Sequence, residues 1–131
     1  DSLHAMGWDI GTYGFEIVLS AEVPGFVGRY LGDDVTGFLG AHGLTVDDVA
    51  ACVSHPGGPK VIEAIIDTLG LPPDALDLTW RSLAEVGNLS SSSVLHVLRD
   101  ALRKRPAAGS PGVLMAMGPG FCAELVLLRW R

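Results

Sequence analysis

His55 and Asn88 are the two side chains whose sequence surroundings most favour a role in chemistry. His55 follows the apolar run of residues 49–53 and precedes the loop Pro56-Gly57-Gly58-Pro59. A side chain at the carboxyl end of a buried strand points into the crevice where α/β folds bind ligands, and paired glycines let a ligand approach the backbone. A histidine that only bonds a loop carbonyl fits the same local pattern equally well.

Asn88 stands between a helix pattern that ends at Gly87 and the serine run of residues 90–93. An asparagine in this position is most often a helix cap or a turn residue. Its amide could instead donate a hydrogen bond to an oxygen that becomes negatively charged during a reaction. The neighbouring residues leave both interpretations open. The same holds for Gly118-Pro119-Gly120, which is either a simple hairpin loop or a rigid pocket wall.

The composition excludes several classes of function. The chain has 131 residues, of which 48% are hydrophobic and 18% are charged, as expected for one globular domain with a large core. A net charge of −6 argues against nucleic acid as a partner, because phosphate neutralisation needs a basic face. No apolar stretch reaches the ~18 residues that a membrane span needs.

Cysteine and histidine usage indicates a metal-free protein of a reducing compartment. Cys52 and Cys122 lie inside apolar runs, which predicts two buried thiols, and hence a cytoplasmic protein, rather than a disulfide framework. The histidines other than His55 have no partner at metal-ligand spacing. Residues 1–3 include no initiator methionine and no features of a signal peptide, so we expect the chain to be a piece of a longer protein.

The spacing of apolar residues and of helix-ending glycines predicts the elements that must position these side chains. In chain order these are a strand at 15–19, a helix from Pro24 to Gly40, a capping box at 45–48, a strand at 49–53, a helix with its apolar face at 61–69, a helix at 79–86, a helix capped by Ser90 or Ser91 and closed by residues 103–105, and strands at 112–117 and 121–128. This order predicts an α/β domain, with layered helices on a mixed sheet that ends in an antiparallel strand pair.

Three motifs in register resemble those of one enzyme family. Residues 52–59 are similar to a segment that contains His-Pro-Gly-Gly-Pro, and residues 87–91 to the segment Gly-Asn-Met-Ser-Ser. Residues 117–120 resemble most of the loop Gly-Phe-Gly-Pro-Gly. The chain therefore resembles, over 1–131, the C-terminal domain of a type III polyketide synthase of the chalcone and stilbene synthase family, of bacterial type.

The resemblance implies a thiolase-like fold and a homodimeric acyltransferase that uses acyl-CoA and malonyl-CoA. Such enzymes load an acyl group onto a cysteine, decarboxylate malonyl-CoA, condense the two and cyclise the product. The resemblance implies no metal or redox cofactor. It also places the nucleophilic cysteine in an N-terminal half that this sequence lacks, so we expect the 131-residue chain alone to be inactive.

Matched position by position, the resemblance makes His55 and Asn88 catalytic. His55 would pair with the missing cysteine, and both side chains would donate hydrogen bonds to the thioester oxygen. Gly57, Gly58 and Lys60 would lie near CoA. The matched positions that would line the pocket are Trp8, Ile17, Ser90, Met117, Gly118, Pro119 and Gly120.

The sequence departs from the family pattern in the last motif, where Ala116 replaces a glycine and Met117 replaces a phenylalanine. Two other functions stay open at this point. One is a condensing enzyme of the ketoacyl-ACP synthase type, and the other is a thiolase-like dimerisation module without catalysis.

Overall fold

The computed structural model describes residues 4–131 and begins with an antiparallel β-hairpin. Strand β1 spans Met6–Gly11 and strand β2 spans Gly14–Leu19. Side chains alternate between the two faces of a strand pair, so one face of the hairpin is entirely apolar. This face carries Met6, Trp8, Ile10, Phe15, Ile17 and Leu19. The expectation about residues 1–3 lies outside the described residues.

One helical segment follows the hairpin, as predicted from Pro24. It consists of helix α1 (Val23–Phe26), a π-helical turn (Val27–Leu31) and helix α2 (Gly32–Gly40). Proline suits the first turn because its fixed φ is helical and it needs no N–H partner there. Apolar residues at a spacing of four, Val27, Leu31, Val35 and Leu39, form the buried stripe of this segment.

After a 3₁₀ turn, the remaining elements are one strand, three helices and two strands. The predicted capping box at Thr45 and Asp48 is confirmed and opens a 3₁₀ turn. The elements that follow are strand β3 (Ala51–Ser54), helix α3 (Pro59–Leu69), helix α4 (Asp77–Val86), helix α5 (Ser93–Lys104), strand β4 (Pro111–Gly118) and strand β5 (Cys122–Arg129).

Strands β3, β4 and β5 form a mixed sheet in that order. Strand β3 pairs parallel to β4, and β4 pairs antiparallel to β5. The predicted α/β architecture and its antiparallel end are therefore confirmed. A parallel pair needs a long crossover connection, and here it contains α3, α4 and α5.

Helices cover both faces of the sheet. The helical segment of residues 23–40 and α3 pack on one face, around Val113 and Met115. Helix α5 packs on the other face, around Val53 and Trp130. None of the helices in residues 4–131 is long and apolar enough to cross a membrane.

Two predictions from the sequence are wrong. Neither Ser90 nor Ser91 caps α5; residues 90–92 form a 3₁₀ turn, and α5 begins at Ser93 without a side-chain cap. Cys122 is exposed, because it lies on the solvent-facing side of β5. Strand β5 is the edge strand of the three-stranded sheet and pairs only with β4. Cys52 is half-buried, and burial raises the pKa of its thiol to about 12.

Candidate functional site

His55 lies immediately after β3, at the carboxyl end of the parallel strands. Its backbone N–H donates a hydrogen bond to the carbonyl of Met115 on β4, at 3.0 Å. The side chain is half-buried, and this burial lowers the pKa of the imidazole below its ordinary value. A neutral imidazole has one N–H donor and one acceptor nitrogen, so His55 can donate a hydrogen bond at neutral pH.

The loop after His55 turns the chain sharply into α3. Gly58 adopts φ +155° and ψ 167°, in a region that is essentially restricted to glycine. Its carbonyl accepts the first helical hydrogen bonds, from the N–H groups of Val61 and Ile62. The loop that carries His55 is therefore continuous with the start of a helix.

Asn88 reaches across to this loop from the end of α4. Its side-chain N–H donates to the carbonyl of Gly57 at 3.3 Å, and its side-chain oxygen accepts the N–H of Ser90 at 2.9 Å. The first bond joins two segments 31 residues apart. Asn88 is thus both a turn residue and a bridge to the His55 loop. An amide has two N–H donors, and the bond to Gly57 uses one of them.

The third motif lies at the same edge of the sheet. Gly118 ends β4 three residues after Met115, which is roughly 10 Å further along a strand. The N–H of Gly120 donates to the carbonyl of Met6 at 2.9 Å, which ties this loop to the hairpin. The aromatic rings of Phe121 and Phe26 also meet, with centroids 5.4 Å apart. His55, with Asn88 bonded to its loop, and the Gly118–Gly120 loop therefore follow the carboxyl ends of the neighbouring parallel strands β3 and β4.

Comparison with known proteins decides the family. The family model of chalcone and stilbene synthases, C-terminal domain, matches residues 3–130.

The chain belongs to the chalcone and stilbene synthase family.

Its relatives in this family include bacterial polyketide synthases. The chain is 58% identical over 131 residues to 1,3,6,8-tetrahydroxynaphthalene synthase of Streptomyces peucetius subsp. caesius, covering 99% of the chain and 35% of the relative. It is 36% identical over 135 residues to 3,5-dihydroxyphenylacetyl-CoA synthase of Amycolatopsis orientalis, covering 99% and 36%. The chain therefore spans about a third of the length of these relatives.

Solved structures of the family share the fold. The structure of 1,3,6,8-tetrahydroxynaphthalene synthase from Streptomyces coelicolor, a bacterial type III polyketide synthase, superposes with a TM-score of 0.93 at 28% identity. The alignment covers 99% of this chain and 37% of that one. The chain accordingly has the fold of the C-terminal domain of this family, which confirms the predicted thiolase-like architecture. The alternative of a ketoacyl-ACP synthase is not favoured by these relatives.

The family's expected pocket residues on the hairpin face solvent in this chain. Trp8 and Ile17 are paired in register, and their side chains are 54% and 56% exposed. Trp8 contacts Phe15 edge-to-face within the hairpin. The hairpin thus presents an apolar wall beside the Gly118–Gly120 loop.

The other expected positions lie around the same loops. Lys60 is exposed in the first turn of α3, next to Gly57 and Gly58. Ser90 is exposed and has a positive φ of 58°. Met117 is half-buried on β4, where it pairs with Ala123. Among residues 4–131, no group of three metal-ligating side chains lies close enough to hold a metal ion.

Sequence reasoning missed two buried hydroxyls beneath the site. Thr79 on α4 donates to the carbonyl of Ser54 at 3.2 Å. The hydroxyl oxygen of Ser93 accepts the N–H of Leu89 at 2.6 Å. Both hydroxyls bond the backbone next to a candidate catalytic residue. Thr79 occurs within an ordinary helix sequence, and nothing local distinguishes Ser93 from the other members of the serine run.

Proposed function

We propose that the complete protein containing this chain is a type III polyketide synthase. It decarboxylates malonyl-CoA, condenses the product with an acyl group held on a cysteine, and cyclises the chain. The observation that carries this proposal is the hydrogen bond from Asn88 to Gly57, two residues after His55, in a chain of this family. The bond ties the Asn88 amide to the loop that carries His55, so two hydrogen-bond donors stand on adjoining segments at one edge of the sheet.

These two donors suit the charge that develops in the reaction. When malonyl-CoA loses carbon dioxide, the electrons of the broken C–C bond move into an enolate whose charge rests on the thioester oxygen. The enolate carbon then attacks the acyl thioester, and the cysteine thiolate leaves. His55 and Asn88 donate hydrogen bonds to that oxygen, and each such donor is typically worth about 3–4 kcal/mol.

The nucleophilic cysteine comes from the part of the protein outside this chain. Cys52 is poorly suited to the role, because burial raises its pKa to about 12 and keeps the thiol protonated. His55 pairs with the incoming cysteine and stabilises its thiolate. The reaction transfers no electrons between redox centres, so we propose that it needs no metal or redox cofactor.

The substrate follows from the surroundings of the two donors. The half-buried Gly57 and Gly58 and the exposed Lys60 follow His55 in a loop that suits the CoA arm, with the lysine available to a phosphate. The apolar hairpin face with Trp8 and Ile17 suits the growing chain. The 58% identity to a 1,3,6,8-tetrahydroxynaphthalene synthase favours a hydroxylated naphthalene as product. We further propose that the complete protein is a homodimer.

Incubating the complete protein with malonyl-CoA tests this function. We expect malonyl-CoA to be consumed and a tetrahydroxynaphthalene to appear by mass spectrometry, whereas malonyl groups on acyl carrier protein react poorly. The isolated 131-residue chain should consume no malonyl-CoA and serves as the control. A preference for malonyl groups on acyl carrier protein would favour a ketoacyl-ACP synthase. Normal turnover by the isolated chain would contradict the proposal that the nucleophilic cysteine lies outside it.

A further inference from the structure

We propose that Thr79 and Ser93 are positioning residues that hold His55 and Asn88 in their catalytic orientation. This inference rests on the proposed function, because it assigns His55 and Asn88 to the reaction. Neither hydroxyl reaches the open edge of the site. Both act on the backbone peptide groups that carry the two catalytic side chains.

Thr79 fixes the peptide group that precedes His55. Its hydroxyl donates to the carbonyl of Ser54 at 3.2 Å, and both residues are fully buried. That carbonyl shares a peptide group with the N–H of His55, which donates to Met115 at 3.0 Å. The peptide plane is therefore bonded at both ends, once to α4 and once to β4. This arrangement restricts the backbone rotation that would re-aim the imidazole.

Ser93 fixes the peptide group that follows Asn88. Its hydroxyl oxygen accepts the N–H of Leu89 at 2.6 Å, and Ser93 is fully buried at the start of α5. That N–H belongs to the peptide group whose carbonyl is that of Asn88. The side chain of Leu89 is 47% exposed, so apolar burial does little to anchor this turn. The bond to Ser93 therefore acts on the backbone of this turn, beside the bonds that the Asn88 side chain makes to Gly57 and Ser90.

Thr79 and Ser93 lie on two helices that pack against each other and against β3. Helix α4 contacts α5 and β3, and α5 contacts β3. A displacement of about 1 Å at a reacting group can cost on the order of 10²-fold in rate, so a bond from a rigid helix to the adjacent peptide has a direct effect on turnover.

Ser82 provides a matched control on the same helix. It is buried three residues after Thr79, and within the described part of the chain its hydroxyl has no hydrogen-bond partner. Replacing Ser82 by alanine removes a buried hydroxyl from α4 without releasing either peptide group. A loss of kcat in Ser82→Ala would therefore show that removing a buried hydroxyl from α4 disturbs the site even where no peptide group is released.

Steady-state kinetics of the complete protein with malonyl-CoA test the proposal. We expect Thr79→Val and Ser93→Ala to lower kcat by roughly 10- to 100-fold while KM changes by less than about twofold. Thr79→Ser keeps the hydroxyl and should retain most of kcat, and Ser82→Ala should retain wild-type kcat. Equal losses in Thr79→Ser and Thr79→Val, or in Ser82→Ala, would overturn the proposal.

Double variants separate positioning from a general loss of structure. In a His55→Ala background, Thr79→Val should lower the residual rate no further, because the group that it positions is gone. Ser93→Ala should likewise have no added effect in an Asn88→Ala background. A further fall in either double variant would refute the proposal. Wild-type turnover by His55→Ala itself would instead refute the proposed function, so the two failures are distinguishable. If Thr79→Val fails to fold, Ser93→Ala, alone and in the Asn88→Ala background, provides the same test.

Discussion

Replacing Gly58 by alanine tests how strictly the loop after His55 depends on its backbone geometry. Gly58 has φ +155° and ψ 167°, where a Cβ atom clashes with the neighbouring backbone, although no other atom lies within 4 Å of the added Cβ position. The penalty is therefore purely conformational, and such conformations cost about 1–3 kcal/mol. We expect Gly58→Ala to lower the free energy of unfolding by that amount.

The adjacent Gly57 gives a matched control. Its φ lies outside the left-handed region, and an added Cβ would make an ordinary contact with Val61, at 3.4 Å. We expect Gly57→Ala to change the free energy of unfolding by less than about 0.5 kcal/mol. Urea denaturation of the complete protein, followed by fluorescence, measures both variants. A Gly58→Ala protein as stable as Gly57→Ala would refute the strain argument.

Two further predictions concern titration and packing. Burial lowers the pKa of His55 in this chain, so its NMR titration midpoint in the isolated 131-residue chain, where no cysteine thiolate pairs with it, should fall below the ordinary value of about 6.5. The unfolded chain then binds more protons than the folded one, so His55 should lower the free energy of unfolding as the pH falls below about 6.5. His55→Gln should remove that pH-dependent contribution. A titration midpoint above 6.5 would contradict the burial argument. In Gly112→Ala, the added Cβ would lie 2.8 Å from Nε1 of the buried Trp130, so we expect a loss of about 1–3 kcal/mol from overpacking in chemical denaturation. Wild-type stability in Gly112→Ala would show that the indole moves freely.

Much of the fold could be predicted because its apolar spacing is regular. The stripe from Val27 to Leu39 and the helix that ends before Gly70 follow directly from helical periodicity. Strand β1 is absent from the strands that the sequence predicts, because its glycines and Asp9 have low strand propensity. The burial of Cys122 was mispredicted because an apolar run does not reveal that its strand lies at the edge of a sheet.

The site could not be predicted from local sequence in the same way. Whether Asn88 is a turn residue or a functional amide depends on its bond to Gly57, which lies 31 residues away in the chain. The serine run predicts a helix cap at Ser90 or Ser91, whereas in the structure the hydroxyl of Ser93 accepts a hydrogen bond from Leu89. In the sequence, only the resemblance of three motifs to one family connects these segments. The supporting role of Thr79 is visible only in three dimensions.

The central claim is that His55 and Asn88 stabilise the enolate formed from malonyl-CoA. The most direct measurement is the rate of carbon dioxide release from malonyl-CoA by the complete protein and by its His55→Ala and Asn88→Ala variants. We expect each variant to lose roughly 10²- to 10³-fold in rate, with the exposed His42→Ala as an unaffected control. Wild-type release of carbon dioxide by both site variants would contradict the account.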